Sequence, residues 1–227
     1  MISKILKTTD GKLKVSIPST LEEITLGMLI GLDADLSEVQ VIGVLSGLGE
    51  QLYNVRNIDD FQQFHEHVLS LTHQIQYVYQ EQATIPKEVK LMGRTIPVMS
   101  NLSVEPAGAY LNCRDIIAEE INECQKFFGE EDWQLNFKPS LKSAARVLAQ
   151  YFFCPATKKP YNEYEAEAFE SEVVKLPITQ ALPIATFFFL NYPNLLKPKV
   201  SYYQVFKQQL RKKQALRSLK YSGTTIR

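Results

Sequence analysis

A mainly α-helical fold carrying two short β-hairpins, an α+β arrangement, is what this 227-residue sequence predicts. Three observations support it. Two stretches alternate apolar and polar residues around a glycine turn, as half-buried strand pairs do. Elsewhere, apolar residues return at three- and four-residue spacing, which lines one face of a helix. Ser, Thr or Asn caps followed by acidic residues stand in front of several of these runs.

The first hairpin is expected over Ile5 to Ile17, where Leu13, Val15 and Ile17 alternate with Lys12, Lys14 and Ser16 after a turn at Asp10-Gly11. Pro18 ends it, and Ser19 or Thr20 with Glu22 and Glu23 predicts a helix running to about Leu32. A second helix is expected from Ser37 to Leu48, closed by Gly47-Leu48-Gly49. The third starts near Asn57 and buries Phe61, Phe64, Val68, Leu71, Ile75 and Val78. Val89 to Val98 predicts the second hairpin, joined at Met92-Gly93-Arg94, and Asn101 to Glu105 the cap and acidic turn of a further helix. Pro183 is placed in the first turn of an apolar helix beginning after Thr179. Val200 to Tyr221 reads as a final helix with Val205, Phe206, Leu210, Leu216 and Leu219 turned inward.

The order of hairpin then helices occurs twice. Gly11-Lys12 aligns with Gly93-Arg94, Leu26-Gly27-Met28-Leu29 with Ala107-Gly108-Ala109-Tyr110, and Tyr53-Asn54 with Tyr161-Asn162. The second copy needs an insertion containing Phe127-Phe128-Gly129 and Trp133, so a pseudo-symmetric duplication competes with chance likeness. The organisation expected is a hairpin-plus-helices unit over 1–86, a related unit over 87–175, and an apolar segment with a basic helix over 176–227, packed as one globule.

Composition narrows the setting. Hydrophobic residues make up 45% of the chain, enough for a core without staples, and 25 basic residues balance 25 acidic ones, so no global field draws the molecule to nucleic acid or an anionic membrane. Cys113, Cys124 and Cys154 show no C-x-x-C spacing and read as small buried hydrophobes in a reducing, cytosolic protein. Met1-Ile2-Ser3-Lys4 does not open a secretory leader, and the apolar run Ala181 to Leu190 is shorter than the ~20 residues a membrane helix needs. No membrane association is expected.

Side chains with chemical potential also admit plainer roles here. His65, His67 and His73 form the histidine cluster, but residues two apart on a helix point to different sides, and zinc ligands on a helix stand three or four apart. Glu119 and Glu123 lie one turn apart, and Glu163, Glu165, Glu167, Glu170 and Glu172 form an acidic run, a pattern of exposed helix faces. Phosphate-binding glycine loops are absent from the sequence. No catalytic, cofactor-binding or metal-binding residue is assigned, and no cofactor is expected.

Charge placement is more informative. After Glu172 the chain carries no acidic residue but ten basic ones, Lys175, Lys197, Lys199, Lys207, Arg211, Lys212, Lys213, Arg217, Lys220 and Arg227, whereas Asp115 to Glu172 is rich in acids. A basic helix of this kind can bind phosphates, dock on an acidic protein surface, or fold back on its own acidic region. Protein contact is the preferred reading, ahead of nucleic acid, with Lys207, Arg211, Lys212, Lys213, Arg217 and Lys220 as the partner-binding residues.

Taken together, the hairpin Val89 to Val98, the segment Asn101 to Tyr110 and the stretch Ile178-Thr179-Gln180-Ala181-Leu182-Pro183-Ile184-Ala185 to Phe189-Leu190 resemble a group of tailed-bacteriophage proteins, the tail-assembly and minor structural proteins of virion morphogenesis regions. The likeness covers most of the chain through pattern rather than invariant motifs. It implies a non-enzymatic structural or adaptor role in the phage tail or neck and partners among other virion or tail-assembly proteins in an oligomeric assembly. It also implies synthesis in the bacterial host cytoplasm. A tail-assembly chaperone absent from the mature virion is the alternative, and an uncharacterised enzyme a second. The group has no catalytic motif, so no functional residue is carried over.

Overall fold

Two antiparallel hairpins and eight α-helices make up the residues that the computed structural model describes, 1–32, 36–78, 84–98 and 106–191. The first hairpin pairs β1 (Ile2–Thr8) with β2 (Gly11–Ile17), in a register that sets Leu6 opposite Leu13 and Ile2 opposite Ile17. Leu6, Val15 and Ile17 are buried and Leu13 half-buried, as the alternation requires. The turn falls at Thr9 and Asp10, one residue before the expected place.

The helix expected from Ser19 to Leu32 is divided. Ser19 donates its N–H and hydroxyl to Glu23, but the turn that follows, Leu21–Glu23, is a single turn of 3-10 helix. Ile24 and Thr25 are extended because they pair with a distant strand-like segment: the Ile178 amide donates to the Ile24 carbonyl and the Leu26 amide to the Leu176 carbonyl, both within 2.9 Å. α1 (Leu26–Gly31) starts only afterwards, capped by the Thr25 hydroxyl, which accepts from the Met28 amide.

Glu23 also accepts from the Met1 ammonium at 2.5 Å, and this bond with those from Ser19 holds its carboxyl down at about 2. A depressed acid contributes stability above its unfolded value, near 4.5, and loses it as pH falls toward about 2. Glu23→Gln should therefore lower the melting temperature at pH 6, and the gap from wild type should close on acidification through that window. A gap independent of pH would show that the ion pair does not form.

α2 (Glu38–Ser46) opens with Gln40 accepting from the Ser37 amide and hydroxyl, and closes at Gly47. A 3-10 turn (Ile58–Phe61), capped by Asn57, leads into α3 (Gln62–Val78), which buries Phe64, Val68 and Leu71, while Ile75 is half-buried. The second hairpin joins β3 (Glu88–Leu91) to β4 (Arg94–Pro97) through Met92 and Gly93, both at positive φ (50° and 71°), a two-residue turn whose second position suits glycine. Arg94 ties this hairpin to a later helix by donating to the Ala156 carbonyl at 2.9 Å.

α4 (Ala107–Asn136) is broken at Gly129 (φ 79°, ψ 166°), and α5 (Leu141–Thr157), α6 (Glu163–Ala168), α7 (Glu170–Val173) and α8 (Ile178–Asn191) follow. α5 is the centre of the core. It packs against α1, α4, α6, α7 and α8, and buries Val147, Leu148, Phe152 and Phe153. α8 begins two residues earlier than expected, with the Gln180 and Ala181 amides donating to the Pro177 carbonyl, so Pro183 lies in the second turn rather than the first and supplies no N–H to the Thr179 carbonyl.

Met1–Tyr192 forms one compact unit, and the boundaries expected at 86 and 175 fall inside it. The aligned glycines Gly27 and Gly108 each stand second in a helix at a close approach of another segment, Val174 in one case and the Tyr161 ring in the other. Tyr53 is exposed, however, whereas Tyr161 is half-buried. The expected start at Asn101 to Glu105 and the helix Val200 to Tyr221 lie outside the described residues.

Candidate functional site

α4 and α5 cross where α6 and α7 close over them, and the crossing leaves a cleft of about 360 Å³. Asn112, Asp115, Ile116 and Glu119 enter it from α4, Arg146, Ala149 and Gln150 from α5, and Glu163, Glu167 and Glu170 from α6 and α7. Five carboxylates thus face one guanidinium. Arg146 lies 3.4 Å from Glu119, and Arg114, which does not line the cleft, 2.8 Å from Asp115, exposed pairs worth about 1 kcal/mol or less each, so the net negative charge of the cleft rests on Glu163, Glu167 and Glu170.

Helical geometry explains the set. Asp115 and Glu119 are one turn apart on α4, as are Glu163 and Glu167 on α6, so each pair shares a face. Asn162 caps α6 by accepting from the Glu165 amide, which fixes the direction of that face. The intervening glutamates are used differently. Glu165 pairs with Lys159 and Glu172 with Lys175, both at 2.6 Å.

A polar relay forms beneath the carboxylates. Asn112 donates from Nδ2 to the Tyr161 hydroxyl at 2.7 Å, and that hydroxyl donates to Gln150 Oε1 at 2.5 Å. Burial pushes the Tyr161 phenol up to about 12, with the Asn112 hydrogen bond opposing the shift, so the phenol stays protonated and available as a donor at neutral pH. Gln150 is only 3% exposed, yet among the described residues its Nε2 has no hydrogen-bond partner.

The glutamates of the cleft stand in the acidic run visible in the sequence. Tyr161 stands in the aligned Tyr161-Asn162 pair, but no motif marks Arg146 and none marks Gln150. Its signal was one amide within the otherwise apolar run Ala149 to Phe153. Glu120, beside Glu119 on α4, has a structural role: it accepts from the Ser140 amide and the hydroxyls of Ser140 and Ser143 at the start of α5.

The other residues singled out are dispersed. His65, His67 and His73 are exposed on α3, and His65 Nδ1 lies 3.1 Å from Glu38 Oε1 across the α2–α3 contact. Among the described residues, no three His, Cys, Asp or Glu side chains converge in a metal-holding group. Cys113 is buried and Cys124 and Cys154 half-buried, and burial pushes the last two thiols up, away from the reactive thiolate. Lys207, Arg211, Lys212, Lys213, Arg217 and Lys220 all lie outside the described residues.

No family model matches this chain, and no curated protein or solved structure matches it either. Among the described residues, no helix is long and apolar enough to cross a membrane.

Proposed function

We propose that this chain is a non-enzymatic structural or adaptor component of a phage tail or neck, acting through protein–protein contacts. The observation that carries the contact role is the carboxylate-lined cleft between α4, α5, α6 and α7. With Asp115 paired to Arg114 and Glu119 to Arg146, the carboxylates of Glu163, Glu167 and Glu170 remain in this small concavity to attract a cationic partner. The sequence after Glu172, basic and without acids, carries charge of the opposite sign for neighbours in an assembly. The resemblance of Val89 to Val98, Asn101 to Tyr110 and Ile178 to Leu190 to tail-assembly and minor structural proteins supports reading that assembly as the tail or neck.

Mass spectrometry of purified particles of the encoding phage tests the reading. Recovery of the chain at a copy number comparable with known tail or neck components is the expected result. Absence from particles, with a tail protein retained on the tagged chain from infected cells, would replace the structural role by that of an assembly chaperone. Absence from both would overturn the tail or neck assignment.

A further inference from the structure

The cleft holds two features that point to the same occupant. Its rim is anionic: Asp115 is paired with Arg114 and Glu119 with Arg146, while Glu163, Glu167 and Glu170 have no cationic partner among the described residues. Its base carries an amide that the fold leaves unsatisfied, Gln150 Nε2 on a side chain 3% exposed. A buried amide donor without a partner is destabilising, and a ligand acceptor removes that cost.

The relay sets the direction of that donor. Tyr161 donates to Gln150 Oε1 and so engages the oxygen end of the amide, leaving the nitrogen end for the cleft. The occupant must therefore offer a hydrogen-bond acceptor at the base and positive charge at the rim. A metal ion supplies no acceptor, and the carboxylates do not converge closely enough to hold one. A polyamine brings cations alone. A peptide bearing arginine or lysine brings both, a backbone carbonyl and a cationic side chain one residue apart.

We infer that this cleft docks an arginine- or lysine-bearing segment of a partner protein, whose carbonyl accepts from Gln150 Nε2 while its cationic side chains meet Glu163, Glu167 and their neighbours. The inference deepens the protein-contact role proposed above and rests on it for the occupant being a protein. Tyr161 and Asn112 are positioning residues, since they act by holding the Gln150 amide.

Fluorescence anisotropy of a short, fluorescein-labelled arginine–glycine repeat peptide with the purified full chain tests the site directly. Binding should weaken about five- to tenfold at low salt in Glu163→Gln/Glu167→Gln, which alters two exposed side chains. Glu50→Gln/Glu88→Gln, with the same net charge but both changes outside the cleft, should leave it within about twofold. Gln150→Met, of similar length without the amide, should weaken the peptide about fivefold and leave competition by spermidine unchanged.

Equal losses from the two double variants would show that only net charge is sensed and would overturn the site. A Gln150→Met protein that is folded by circular dichroism and binds peptide as wild type does would overturn the role of the amide. Particle mass spectrometry reads the tail or neck assignment separately, so failure of either reading is recognisable without the other.

Discussion

Phe152→Ala is expected to destabilise the fold by about 3–5 kcal/mol. Phe152 is fully buried in α5, the helix onto which α1, α4, α6, α7 and α8 converge, and its ring lies 4.7 Å from that of Tyr151. Truncation removes the transfer energy of the ring and leaves a cavity between helices that are already held by many other contacts. The urea midpoint should fall with an unchanged slope, since the surface exposed on unfolding is nearly the same. Phe127, 87% exposed just before the break in α4, is the matched control, and Phe127→Ala should shift stability by about 0.5 kcal/mol or less. Comparable shifts from the two would remove α5 from the centre of the core.

Gly108→Ala should cost about 1–3 kcal/mol, although alanine in place of glycine gains about 1 kcal/mol within a helix. A Cβ at Gly108 would stand 2.6 Å from the Tyr161 ring, and that ring is held at its far end by Asn112 and Gln150. It cannot withdraw without breaking the relay, so strain outweighs the gain in propensity. The displaced phenol should titrate below its value of about 12, toward the ordinary 10, as water reaches it. Spectroscopic titration of the tyrosines, compared with the same titration after Tyr161→Phe, isolates that group. Gly27→Ala, whose Cβ would meet Val174 at 3.2 Å, should be milder. A stabilised Gly108→Ala protein with an unchanged tyrosine titration would show that the ring does not press on α4.

The parts of this fold legible in the sequence are those whose cause is local. Alternation at Leu13, Val15 and Ile17 dictates a strand, and the turn at Gly93 dictates where the second hairpin reverses. The spacing from Phe61 to Leu71 sets the buried face of α3, and Ser37 and Gly47 bound α2. What lay beyond local pattern were the features made by partners far away in the chain. The cap at Ser19 and Glu23 carries the signs of a long helix, yet pairing of Ile24 with Ile178 forces the next residues to extend, because those backbone groups gain partners across more than 150 positions. Carboxylates at Asp115, Glu119, Glu163 and Glu167 read as exposed helix faces, and helical spacing does place each pair on one side. Only the crossing of α4 with α5, and the closure of α6 and α7 over it, turned those faces toward one another above Gln150, since like charges converge only where packing elsewhere holds their helices together.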